Sequence, residues 1–212
     1  MHIPDGFINA ATAGATYAVS AAAVVVASRK VRKSFGERHV PLMGVTAAFI
    51  FAAQMLNFPV AGGTSGHFLG VAFAAVLLGP WAGVLVLSTV LLVQSLVFQD
   101  GGLLALGANI FNMGVVGSFV AYYAYTGVTL LTKQNAKGRM AAAFTASWLS
   151  VVAAALAASV ELAFSGTSPL HVVIPAMGTV HALIGVGEGI ITASMIALLV
   201  RVRSDLLELQ KA

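Results

Sequence analysis

The chain has no cysteine and little charge: 11 Lys and Arg with seven Asp and Glu make up 8% of its 212 residues. Without cysteine there is neither a disulfide nor a thiolate site, so a tightly held metal would have to rest on nitrogen or oxygen donors. So little charge cannot cover a water-facing surface, which excludes a soluble domain. Enzymatic signatures are missing too. There is no HExxH, GxSxG or GxxxxGK[ST] motif, and no pair of aspartates inside an apolar run. The chain reads as no enzyme, and any ATP-driven work would need another chain to bind the nucleotide. A net charge of +4 does not point to nucleic acid either, because the basic residues occur only in short clusters between apolar runs.

What is present is apolar. With 59% hydrophobic residues and a mean hydropathy of +0.95, the composition is that of an integral membrane protein. A bilayer core of about 30 Å takes roughly 20 residues per helix, so residues 1–212 can form six or seven spans in one all-α domain, with no room for a second. Seven runs can be read: Phe7 to Ser28, Pro41 to Phe58, a short one after His67 ending at Gly79-Pro80, Trp81 to Phe98, Leu103 to Leu131, Met140 to Phe164, and His171 to Val200. Between them lie a glycine-rich loop over 58–67, the Gln99-Asp100-Gly101-Gly102 turn and the Ser165 to Pro169 loop. A short polar tail, 204–212, closes the chain.

Parity orients the runs. Lys and Arg fall only at 29–38, 133–139 and from 201 to the end, and basic clusters mark the cytoplasmic face. Four runs separate the first two clusters and two separate the last two, so the count closes with seven spans. The amino terminus is then outside and the carboxyl terminus cytoplasmic. This requires Gly79-Pro80 to be a cytoplasmic turn, although the third run is short enough to be tilted or re-entrant. No cleavable signal is expected, since the start lacks a basic segment, so the amino terminus should survive, and Met1 with it if the bulky His2 hinders aminopeptidase trimming.

The polar chemistry collects on the outer face. Residues 1–6, Met1-His2-Ile3-Pro4-Asp5-Gly6, put an imidazole next to the terminal amine, which allows fused chelate rings through the amine, the His2 amide and a His2 ring nitrogen. Pro4 keeps Ile3 extended and Asp5 is placed to cap the first helix, so the tip should stand off it. His67, behind a run of small residues, is a plausible fourth nitrogen. A planar set of four nitrogens suits Ni(II) or Cu(II) better than tetrahedral Zn(II) or oxygen-seeking Mg(II) and Ca(II). His39 and His171 read as ordinary histidines. Polar residues within or beside the spans are costly and therefore informative: Gln94, Asn109, Asn112, His181 and Glu188, with Asp5, Asn57, Ser65 and Asp100 in the outer loops, are candidates to orient the donors, or else bond between helices without a ligand role. A path past His181 and Glu188 would make the chain a self-sufficient permease or channel instead. The small residues Ala10, Gly14, Ala18 and Ala22 line one helix face, which serves internal packing or a subunit interface equally well.

Four stretches, MHIPDGF, NFPVAGGTSGHFLG, QDGGLLALGANIFNMG and HALIGVGEGIIT, together resemble the substrate-binding membrane subunit (S component) of nickel and cobalt energy-coupling-factor transporters, the NikM/CbiM family. The resemblance covers nearly the whole chain. It implies a seven-helix S component in a prokaryotic plasma membrane that captures Ni(II) or Co(II) as substrate, with the metal on the Met1 amine, the His2 amide and imidazole, and His67. It also implies partners: a transmembrane coupling protein, a cytoplasmic ATPase of the ATP-binding-cassette type and a small accessory membrane subunit. The stripe Ala10, Gly14, Ala18, Ala22 is then the candidate docking face.

Overall fold

The computed structural model describes residues 1–37, 39–132, 135–203 and 206; Arg38, Lys133 and the tail placed at 204–212, Leu206 apart, lie outside the described residues. Among these residues the chain forms seven helical segments and one β-hairpin. They are α1 (Ala10–Ser34), α2 (His39–Gln54), the strands β1 (Asn57–Pro59) and β2 (Ser65–His67), α3 (Val71–Leu78), α4 (Pro80–Phe98), α5 (Leu106–Leu131), α6 (Ala136–Phe164) and α7 (Leu170–Val202). Five helices, α1 and α4 to α7, are long and apolar enough to cross a bilayer. Their outer faces carry large apolar side chains such as Leu131, Phe164 and Leu183, as expected where the surrounding solvent is lipid.

Local chemistry moves several boundaries away from the apolar runs. The first helix begins at Ala10 because Asn9, not Asp5, is its cap: the Asn9 carboxamide oxygen accepts from the Thr12 amide at 2.8 Å. It then continues through the basic cluster to Ser34, since long cationic side chains favour the last turn of a helix. The second helix stops at Gln54, and Asn57–Pro59 turns into a strand paired antiparallel with Ser65–His67, so the glycine-rich stretch is a hairpin rather than an open loop. Two helices carry π turns, at Gln94–Phe98 and Ile110–Val116. No periodicity of apolar residues announces these, because one inserted residue leaves the apolar runs unbroken.

The third run becomes α3, only eight residues and all of them buried. At 1.5 Å per residue it rises about 12 Å, less than half a bilayer core. Gly70 and Gly79 flank it with φ of +75° and +86°, the left-handed region that lets the chain turn sharply in and out of so short a helix. The helices α2, α4, α5, α6 and α7 pack around it and bury its side chains.

One end of the bundle gathers the amino terminus, the hairpin and the 99–105 and 165–169 segments. Hydrogen bonds join them: Asn9 to the Phe164 carbonyl at 3.2 Å, Ser168 to the Gly62 carbonyl at 3.1 Å, and Thr167 to the Phe7 carbonyl. The opposite end holds the turns at 35–39 and Gly79-Pro80, where the Lys30 ammonium lies 5.7 Å from the centre of the Trp81 ring. The described basic residues of the three clusters lie toward this second end.

Candidate metal centre

The amino-terminal tip does not stand off in solvent. Gly6, at φ +84°, folds it back into the bundle, where Met1 and Ile3 are wholly buried and His2 nearly so. Burying an extended backbone demands partners for its polar groups, and the tip finds them one by one. The Ile3 amide donates to the Asn109 carboxamide oxygen at 2.8 Å, and the Asn109 amide returns a bond to the Ile3 carbonyl at 3.1 Å. The Gly102 amide also donates to the Ile3 carbonyl at 2.9 Å. Asp5, freed from capping, accepts from the Leu104 amide at 2.7 Å and ties the tip to the 99–105 segment. A side chain on Gly102 would occupy the position of Asp5, so this close approach needs glycine.

Four nitrogens converge at this point. The Met1 amine donates to the Ser65 carbonyl and, at 3.0 Å, to the Ser65 hydroxyl, which also receives the His2 amide at 3.0 Å. Ser65 thus holds both main-chain donors of the expected chelate. The His2 ring stacks on the His67 ring with centroids 4.3 Å apart and planes 14° off parallel. Both His2 ring nitrogens face oxygen. Nε2 lies 3.1 Å from the Gln94 carboxamide oxygen, and Nδ1 lies 3.1 Å from Asp100 Oδ1, near enough for an ion pair but off the angle of a hydrogen bond. Asp100 is braced in turn by the Asn57 amide at 2.9 Å.

His67 has one nitrogen spoken for. Its Nδ1–H donates to the Phe68 carbonyl at 2.8 Å, which leaves the Nε2 lone pair buried and without a partner. A buried acceptor with no hydrogen bond is costly, and a lone pair directed into a polar pocket is what a metal ligand requires. The segment that carries it is fixed from below, where the Glu188 carboxylate on α7 accepts the Leu69 and Gly70 amides at 2.6 and 2.9 Å. His181, also on α7, donates through Nδ1–H to the Met177 carbonyl at 2.8 Å and likewise leaves Nε2 buried and unpartnered.

Burial and the Asp100 carboxylate together set the protonation of these groups. Burial holds the Met1 amine well below the usual range of an amino terminus, with Asp100 opposing. Burial also lowers His2 and, more strongly, His67, on which the charges of the terminal amine, His2 and His181 act in the same direction. Asp100 is pushed up by burial, but the close His2 ring and the nearby positive charges outweigh this and hold it below the usual carboxylate range. The nitrogens are therefore biased toward free lone pairs beside an ionised carboxylate, the protonation pattern that metal binding needs.

The structure thus brings Met1, His2, Ser65, His67, Gln94, Asp100 and Asn109 together, with Asp5 and Asn57 behind them and Glu188 supporting the His67 segment. Asn112 is engaged elsewhere, its amide donating to Glu161 on α6 at 2.6 Å. Glu161 was legible as a lone carboxylate in an apolar run, and so was Gln54, which donates to the Leu69 carbonyl at 2.7 Å; neither was among the expected residues. His39, half-buried at the basic end, bonds only the local Gly36 backbone and stacks on Phe35, and His171 is exposed, as ordinary histidines would be.

An apolar bundle with five helices long enough to cross a bilayer, and a buried cluster of nitrogen donors at one end, is the architecture of a membrane protein. Residues 2–206 match the family described as the cobalt uptake substrate-specific transmembrane region. Over 214 residues the chain is 45% identical to the putative fused nickel transport protein NikMN of Archaeoglobus fulgidus, covering all of this chain and 69% of that one. It is 41% identical over 208 residues to a putative metal transport protein of Haloquadratum walsbyi, covering 97% of this chain and 93% of that one. A crystal structure of a truncated transition metal transporter superposes with a TM-score of 0.89 at 37% identity, over 95% of this chain and 99% of the other. The chain belongs to this cobalt uptake family, whose relatives are nickel and cobalt transport proteins.

Proposed function

We propose that this chain captures Ni(II) or Co(II) as substrate at the outer face of a prokaryotic plasma membrane, as the specificity subunit of an ATP-driven energy-coupling-factor importer. The observation that carries the reading is the gathering of the Met1 amine, the His2 amide, the His2 ring and the unpartnered His67 Nε2 in one buried, polar pocket. The ion replaces the protons now held by the amine and the His2 amide, and Ser65 loses two donors as it does so. Because the two rings are stacked, His2 Nδ1 and His67 Nε2 must turn toward a common point, and Asp100 then balances the incoming charge. Four nitrogens in a plane favour Ni(II), with Co(II) as the second substrate.

In this reading all seven helical segments serve as crossings, with α3 and the extended residues before it making the third. The amino terminus is outside, and the basic end, with the carboxyl terminus, is cytoplasmic. A coupling protein, an ATP-binding-cassette ATPase and a small accessory membrane subunit supply the energy. The face carrying Ala10, Gly14, Ala18 and Ala22 points outward, since all four are exposed and a Cβ on Gly14 would meet nothing within 4 Å. Internal packing does not use it, which leaves it for docking on the coupling protein.

The test is metal analysis of the purified chain together with its absorption spectrum. One Ni(II) per chain with the visible absorption of a diamagnetic, planar ion is expected. A spectrum of six-coordinate nickel, or metal retained by His67→Ala, would overturn the assignment.

A further inference from the structure

At the end of the bundle opposite the nitrogen cluster lies a cavity of about 600 Å³ between the last turns of α1, the Gly79-Pro80 turn and α5. Arg29, Lys30 and Lys33 line it, and no acidic side chain does. Among the described residues none of the three cations has a carboxylate partner. Lys30 is held over the Trp81 ring, which packs edge-on against Phe119 with centroids 4.8 Å apart, so the ammonium is stationed at the cavity by a cation–π contact. Apart from Ser34 and the Tyr122 hydroxyl, the rest of the wall, including Val31, Phe35 and Leu78, is apolar.

Three cations above a mostly apolar wall match a ligand with an anionic head and a hydrocarbon body. The cavity also lies where the chain would leave the bilayer: α1 enters it in apolar residues and ends in basic ones, and Trp81 marks the interfacial level where indoles concentrate. Unpaired cations at that depth meet a leaflet surface rich in anionic lipid. The geometry points to a binding site for the phosphate headgroup of an anionic phospholipid of the inner leaflet, held by Arg29, Lys30 and Lys33 beside Trp81. Arg29 is suited to take two phosphate oxygens at once, while the lysines act as point charges. The site rests on the membrane orientation proposed above, but not on the identity of the metal.

The experiment uses the full chain in nanodiscs of defined composition, with bound lipid counted by native mass spectrometry after release. Wild-type protein should retain phosphatidylglycerol in preference to phosphatidylcholine. Each cation replaced by Gln should weaken retention about fivefold, so the triple variant Arg29→Gln, Lys30→Gln, Lys33→Gln should lose roughly a hundredfold. Nickel binding should be unchanged in that variant, which shows that it is folded and separates this claim from the metal site. Lys137→Gln, at another basic turn, should retain lipid as wild type does. Equal retention of the two lipids, or full retention by the triple variant, would overturn the proposal. So would displacement of the lipid by millimolar inorganic phosphate, which would mark a soluble anion as the ligand. Loss of partner-subunit binding in the triple variant with lipid retention intact would also overturn it, and would assign the cavity to a protein.

Discussion

At the scale of single residues, the account turns on which lone pairs are free. His67 offers Nε2 because the Phe68 carbonyl takes its other nitrogen. Replacing His67 by Ala should reduce nickel affinity by more than about a hundredfold, well beyond the 10–100-fold typical of a supporting residue, as isothermal titration would read. Asn109→Ala leaves the Ile3 amide unsatisfied inside the bundle, while the Ile3 carbonyl keeps the Gly102 amide. An unsatisfied group costs about 1–3 kcal/mol, so the tip should come loose and affinity should fall by roughly tenfold or more while the helices stay formed. The sign of the pH dependence follows from the buried imidazoles. His2 and His67 are both held below the ordinary histidine value of 6.5, so the unfolded chain takes up protons that the folded one refuses. Their neutral forms cost the fold nothing above that value, and stability is lost as pH falls below it. Thermal stability of the metal-free chain should therefore fall from pH 7 toward pH 5, less steeply in His67→Gln. Metal affinity should fall over the same range, since binding releases protons.

At the scale of elements, the site is held by what connects the helices. Glu188 reaches from α7 to accept two adjacent amides at the start of the segment after His67. Glu188→Gln offers one oxygen where two are used and turns a carboxamide NH2 toward a backbone donor, so nickel affinity should drop several-fold and the melting temperature should fall with it. The position of His67 on a glycine-rich stretch between helices was legible, because small residues between apolar runs mark a turn. Its conversion into a hairpin was not, since Asn57-Phe58-Pro59 carries little strand signal and pairs only because the short span between the strands brings Ser65–His67 alongside. The cap at Asn9 was hidden behind Asp5, a better-known capping type whose carboxylate goes to Leu104 instead. The π turn at Gln94, which immediately precedes Asp100, leaves no mark on composition at all. Apolar runs report helices through hydrophobicity, whereas these features depend on which backbone groups happen to meet.

At the scale of the whole molecule, much was visible in advance. Basic residues confined to three clusters divide the loops into two sets, and the structure gathers each set at its own end of the bundle. The same division separates the nitrogen cluster at one end from the cationic cavity at the other. The depth to which the tip is buried could not be read, because an extended hexapeptide reveals its partners only when Asn109, Gly102 and Leu104 are brought beside it. The outward direction of the stripe at Ala10, Gly14, Ala18 and Ala22 was equally open until packing chose the opposite face of α1, where Ser20 donates to the Gly107 carbonyl at 2.7 Å. Gly14→Trp should thus leave nickel binding within about twofold of wild type, since surface substitutions away from a site change little, yet prevent co-purification with a coupling subunit.

The central claim is that the Met1 amine is itself a ligand. The most direct test adds one residue ahead of Met1 and measures nickel affinity and the visible spectrum against the native terminus. The account predicts a loss of more than about a hundredfold, with the planar nickel absorption abolished. An extended chain that binds with native affinity and an unchanged spectrum would contradict it.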